Sequence, residues 1–142
     1  MLIYVLSRNK ELYSTRRLVE EAKNKDWEVK VIDYLRCTIE IMKGELVINY
    51  QGKVLPTPDA IIPRIGASRT FYGTAMVRHF EMMEVFSTSG NLAIARSRDK
   101  LRSLQVLSRN DVDMPRTVFA SNKSNAKDVI ELSGGAPLVL KI

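Results

Sequence analysis

The sequence predicts an α/β fold in which helices flank a parallel sheet, and three neighbouring segments carry that prediction. Leu2 to Leu6 is an unbroken apolar run, the pattern of a strand covered on both faces. A segment with helical period follows from about Glu11 to Lys25, placing Leu12, Leu18, Val19 and Ala22 on one side. Glu28 to Asp33 then alternates, with Val29 and Val31 opposed to Lys30 and Ile32. Strand, helix and strand in that order form a βαβ unit, whose crossover joins parallel strands. The first loop, Ser7-Arg8-Asn9-Lys10, lacks the G-x-G-x-x-G pattern, so a dinucleotide site of the usual kind is not expected there.

Further along, Leu46 to Tyr50 and Lys53 to Leu55 read as a hairpin around Gln51-Gly52, ended by Pro56 and Pro58. Asp59 to Ile62 is the next strand, running into Pro63-Arg64-Ile65-Gly66 at the edge where open α/β sheets bind ligands. Phe71 to Val85 reads as a helix with Met76, Phe80 and Met83 in its buried stripe. His79 lies in this helix without an identifiable partner, and no function is read for it. Asn91 to Ala95 reads as a short strand, after which Ser97 would cap a helix of about 98 to 109. Arg98, Lys100 and Arg102 then sit at the positive end of that helix, an arrangement suited to a docked anion. Asn110 to Pro115 breaks the pattern. Beyond it come a strand (Arg116 to Ala120), a helix from a Ser124 cap to Gly134-Gly135, and a final strand, Pro137 to Ile142. This last piece is too short to bury a core alone. Its closing strand faces no partner, so the chain is expected to be the front part of a larger protein.

The 142 residues are 45% hydrophobic and 27% charged, the balance of a globular protein, and no apolar run approaches the roughly 20 residues of a membrane span. Met1 to Leu6 has no basic leader and reads as a strand, not a signal peptide. The single cysteine, Cys37, cannot form an internal disulfide and fits a reducing cytoplasm. With one histidine beside it, a zinc site is not expected. A net charge of +6 permits phosphates or acidic partners, but the basic residues are dispersed and do not single out nucleic acid.

Several stretches, in this order and spacing, resemble the amino-terminal half of one family. They include Leu6-Ser7-Arg8, Asp59-Ala60-Ile61-Ile62-Pro63-Arg64-Ile65-Gly66, Phe71-Tyr72-Gly73-Thr74-Ala75, Arg98-Asp99-Lys100-Leu101-Arg102-Ser103 and Gly134-Gly135-Ala136-Pro137-Leu138-Val139. The family is that of the RimK ATP-grasp ligases, bacterial enzymes that add glutamate to a protein or peptide carboxyl terminus. The resemblance covers essentially the whole chain. It implies a Rossmann-like pre-ATP-grasp domain over residues 1–95, a connecting helix and linker over 96–114, and the beginning of an ATP-grasp lobe over 115–142.

The resemblance also implies ATP and Mg²⁺ (or Mn²⁺) as cofactors, L-glutamate as substrate, and the carboxyl end of a small-subunit ribosomal protein as acceptor, or growing glutamate chains in related members. It implies a cytoplasmic homo-oligomer. Lys100 and Lys141 fall on its ATP-contacting positions. Cations held on rigid elements would stabilise the charge that develops on phosphate oxygens during phosphoryl transfer. Arg64, Ser68 and Tyr72, just after a strand end, are candidates to grip a carboxylate of the acceptor or of glutamate; the alternative for Arg64 is a salt bridge tying domains together. Catalytic and metal-binding residues are expected beyond Ile142, and the 142-residue chain alone is expected to be inactive. Two readings from other classes are a stand-alone binding or assembly module without catalysis and a basic nucleic-acid-binding domain.

Overall fold

The computed structural model describes residues 1–122 and 126–140, arranged as two compact units, Met1–Arg98 and Asp99–Ile142. In the first unit the chain runs through β1 (Leu2–Leu6), α1 (Tyr13–Lys23), β2 (Glu28–Ile32), β3 (Cys37–Met42), β4 (Glu45–Tyr50), β5 (Lys53–Val54), β6 (Ala60–Pro63), α2 (Thr70–Met82), β7 (Phe86–Ser87) and α3 (Asn91–Arg98). The second unit contains α4 (Lys100–Arg109) and α5 (Ala126–Leu132).

Four strands form a parallel sheet in the order β2-β1-β6-β7. The central strand, β1, is buried from Ile3 to Leu6, as its unbroken apolar run requires. It pairs Leu2 with Glu28 on one side and Ile3 with Ala60 on the other. Asp59 clips the start of β6 to the start of β1: its carboxylate accepts from the Leu2 amide at 2.6 Å and its own amide donates to the Leu2 carbonyl at 2.9 Å.

A second sheet, antiparallel in the order β3-β4-β5, is fastened along α2. Two polar ties two helical turns apart hold it there. The Tyr72 hydroxyl donates to the Cys37 carbonyl at 2.7 Å, and His79 shares a hydrogen bond with the Val47 backbone. Ile48 of β4 joins Tyr4, Ile61, Val77 and Phe80 in a single core, so both sheets and α2 share one interior.

His79 is 5% exposed and its Nε2 has no hydrogen-bond partner among the described residues. Burial holds its pKa below the ordinary 6.5, opposed in part by the Val47 hydrogen bond. The unfolded chain therefore takes up this proton at a higher pH than the folded chain. The associated stability is intact above pH 6.5 and is lost as pH falls through the lower folded pKa. Urea unfolding between pH 7 and 5 is expected to show that decline, and His79→Gln to flatten it. An unchanged slope in the variant would remove His79 as its source.

Helix ends repeat one solution. In α5, Gly134 has φ +100° and donates to Glu131, while Gly135 donates to Ile130, closing a Schellman turn. Asp26, Glu84 and Asp111 take the same left-handed position after α1, α2 and α4.

Several sequence expectations are corrected. Residues 91–98 are helical, not a strand, because Glu81 of α2 accepts from both the amide and the side-chain nitrogen of Asn91 and fixes the start of α3. Ser97 lies inside α3 and donates to the Ile94 carbonyl at 2.9 Å. The cap of α4 is instead Asp99, whose carboxylate accepts from the Arg102 amide at 2.9 Å. The stretch from Cys37 to Met42, unassigned in the sequence, is β3. Residues 116–120 and 137–140 form no strand, since no described segment pairs with them and supplies their ladder bonds. Ser124 and Ile142 lie outside the described residues. Among the described residues no helix is long and apolar enough to cross a membrane.

Candidate functional site

In a parallel sheet every strand presents its carboxyl end to the same edge, and here the strand order reverses between β1 and β6. A cleft of about 350 Å³ opens at that edge in the first unit. Leu12 borders it from the β1–α1 connection, Pro63 to Gly66 from the end of β6, Ser89 from beyond β7, and Ile94, Ser97 and Arg98 from α3.

Two arginines dominate its chemistry. Arg64 follows β6, its amide donating to the Leu6 carbonyl at 2.9 Å, and its Nη2 donates to Ser14 Oγ at 2.8 Å. Arg98 closes α3, and its Nη2 donates to the Ile65 carbonyl at 2.8 Å. Each guanidinium is thus oriented by a neutral acceptor. Among the described residues neither has an ion-pair partner, and no acidic residue lines the cleft. The arrangement can bind anions of small-molecule size.

The other candidates stand elsewhere. Ser68 is exposed on the short 3₁₀ turn Ala67–Arg69 and contributes no wall to the cleft. The Tyr72 hydroxyl is engaged by Cys37, and burial raises its pKa, so its proton belongs to the packing of the second sheet. Cys37 is no nucleophile: burial, aided by Asp33, pushes its thiol up to about 12. In the second unit Lys100 is exposed in the first turn of α4, behind the Asp99 cap. Lys141 lies outside the described residues. Arg98 was legible in the sequence only as charge at a predicted helix start. Its bond to Ile65 depends on α3, which the sequence does not announce.

Among the described residues no group of three or more His, Cys, Asp or Glu side chains could hold a metal ion. The described residues therefore offer no site for the divalent ion that the resemblance implies.

Comparison with known proteins adds the ancestry. Residues 1–94 match the RimK PreATP-grasp domain and residues 97–142 match the RimK-like ATP-grasp domain. Relatives in Psychromonas ingrahamii (54% identity), Pseudoalteromonas atlantica (56%) and Vibrio cholerae (54%) align over 100% of this chain and 47% of their own length; each carries the name "Probable alpha-L-glutamate ligase", numbered 1 in Pseudoalteromonas. The chain therefore spans about half the length of the curated relatives it matches. The crystal structure of the macrocyclase MdnB from Microcystis aeruginosa MRC shares the fold, with a TM-score of 0.66 over 92% of this chain and 58% of that one, at 14% identity. Parallel sheet, carboxyl-edge cleft and matched segments agree: the chain belongs to the RimK family, with the pre-ATP-grasp domain over residues 1–94 and RimK-like ATP-grasp sequence from residue 97 onward.

Proposed function

We propose that the whole protein is an ATP-dependent α-L-glutamate ligase of the cytoplasm. One observation carries this reading: identity of 54–56% over all 142 residues with relatives that bear that name. The reaction moves the γ-phosphoryl group of ATP onto an acceptor carboxylate, giving an acyl phosphate and ADP. The amine of glutamate then attacks the carbonyl carbon, the C–O bond to phosphate breaks, and the amine loses its proton. Lys100 and Lys141 are assigned to the phosphates, where fixed cations offset the charge that gathers on the leaving oxygens. Mg²⁺ or Mn²⁺ would share that charge when bound. The proposed acceptor is the carboxyl end of a small-subunit ribosomal protein, or a glutamate chain, and the proposed assembly is a homo-oligomer.

The domain division proposed with this function places residues 1–95 in the pre-ATP-grasp Rossmann-like domain, 96–114 in the connecting helix and linker and 115–142 in the beginning of the ATP-grasp lobe. No residue of the second unit is buried among those described, in keeping with a lobe that needs further chain to close an ATP site.

The test is ADP release by the whole protein with ATP, glutamate and a peptide ending in the ribosomal acceptor sequence. Release that requires both glutamate and the peptide is expected. Sustained release that is as fast without glutamate as with it, or none with any acceptor, rejects the reading. The 142-residue chain by itself is expected to release no ADP in the same assay, and glutamate-dependent turnover would overturn that assignment.

A further inference from the structure

We infer that the cleft at the carboxyl edge of the first unit's sheet holds the incoming glutamate, with Arg64 and Arg98 each taking one of its two carboxylates. This inference rests on the ligase reading and gives it a place in the fold.

The two guanidiniums line the same cleft, and each spends one donor on a neutral acceptor, Ser14 Oγ at 2.8 Å or the Ile65 carbonyl at 2.8 Å. Such bonds orient an arginine without neutralising it. The remaining donors of its five N–H groups stay available for a carboxylate, which an arginine grips bidentately. Two oriented cations in one small space, neither ion-paired among the described residues, call for two negative groups. A volume of about 350 Å³ suits a single amino acid, at the lower end of small-molecule sites. Leu12 and Ile94 supply apolar wall for the methylenes between the carboxylates.

The chemistry of the incoming amine favours the same occupant. The amine attacks only after losing its proton, and a neighbouring carboxylate would hold it as ammonium. Among the described residues the cleft is lined by two arginines and no acidic residue, an environment that favours the neutral amine. The acceptor's carboxylate fits less well, because it must itself attack the γ-phosphorus and a double arginine clamp would blunt it. Both carboxylates of glutamate are spectators and lose nothing by being held.

Arg64→Gln and Arg98→Gln in the whole protein are each expected to raise the KM for glutamate by about tenfold to a hundredfold, the loss expected for hydrogen bonds to a charged group. The KM values for ATP and for the acceptor peptide should stay within about twofold. Arg98→Lys keeps a charge and a donor for Ile65 and should give an intermediate shift, which separates recognition from a folding defect. Arg17→Gln is the control, since Arg17 pairs with Glu20 and Glu21 on an exposed face. A shift in the acceptor KM in place of the glutamate KM would assign the cleft to the acceptor and overturn the inference.

Calorimetry on the 142-residue chain gives an independent reading. Glutarate, with both carboxylates and no amine, should bind within a few-fold of glutamate, and glutamine about tenfold more weakly. Equal binding of glutamine and glutamate overturns the assignment. If the whole protein releases no ADP with glutamate while glutarate still binds in an Arg64- and Arg98-dependent way, the ligase reading fails and the diacid cleft stands.

Discussion

Phe80→Ala is expected to cost the first unit about 3–5 kcal/mol, the usual loss for a large aromatic removed from a core. Phe80 is 1% exposed and sits in the shared interior of both sheets and α2. Its ring meets Tyr4 edge-on, with centroids 6.4 Å apart and planes at 70°, an arrangement that adds to the burial itself. Its carbonyl also receives the amides of Met83 and Val85, so the residue anchors the end of α2 as well. Removing the ring leaves a cavity between helix and sheet that the parallel strands are too constrained to fill. Against a total of about 5–15 kcal/mol for a small domain, the loss leaves a marginal fold at 37 °C. Tyr4→Phe is the comparison. It keeps the ring and gives up only the hydroxyl bond to the Pro56 carbonyl at 2.8 Å, worth about 1 kcal/mol. Denaturant midpoints should rank the two well apart, and equal midpoints would mean that Phe80 does not join the layers.

Gly73→Ala is expected to destabilise by about 1–3 kcal/mol although alanine is the better helix former by about 1 kcal/mol. A Cβ at Gly73 would overlap Ile65 Cγ2 and press on Cδ1 and Cγ1 at 3.1 and 3.2 Å. Ile65 is branched at Cβ and 7% exposed, so it has no free rotamer to escape into. The strain should travel, since the Ile65 carbonyl is what orients Arg98. Glutamate binding is therefore expected to weaken along with stability. In the double variant Gly73→Ala/Ile65→Ala the losses should sum to less than the two singles, with a coupling of about 0.5–3 kcal/mol. Full additivity would show that the close approach is not the cause.

How much of this was legible depended on whether a segment's neighbours are close in sequence. The apolar run of β1 was readable because burial on both faces leaves a mark on every residue. The edge strand β3 was overlooked although Cys37-Thr38-Ile39-Glu40-Ile41 alternates apolar and polar residues; it is mostly exposed, with Ile41 at 73%, so the alternation marks little buried surface. Residues 91–95 show a short apolar cluster that periodicity cannot assign, and Glu81 from α2 decides it as a helix. The same contact explains the partial view of the site. Arg64 stood out because Pro-Arg-Ile-Gly ends a strand, whereas its cleft partner Arg98 is placed by a helix the sequence disguised. Tyr72 looked like a ligand contact because it follows that turn, and its engagement with Cys37 requires a sheet that was only half recognised.

The position of β1 between β2 and β6 has a consequence for how the chain assembles. Leu2 reaches Glu28 across a single helix, whereas Ile3 reaches Ala60 only after the whole antiparallel sheet has been made. Closing the longer loop costs only about 0.7 kcal/mol more by length alone. Loop length therefore delays the second pairing very little. The most local of these pairings is that of β3 with β4, which is expected to form early and bring residues 37–50 together. The nascent chain would then fold in steps that follow the order of its synthesis, with the cleft among the last features to appear.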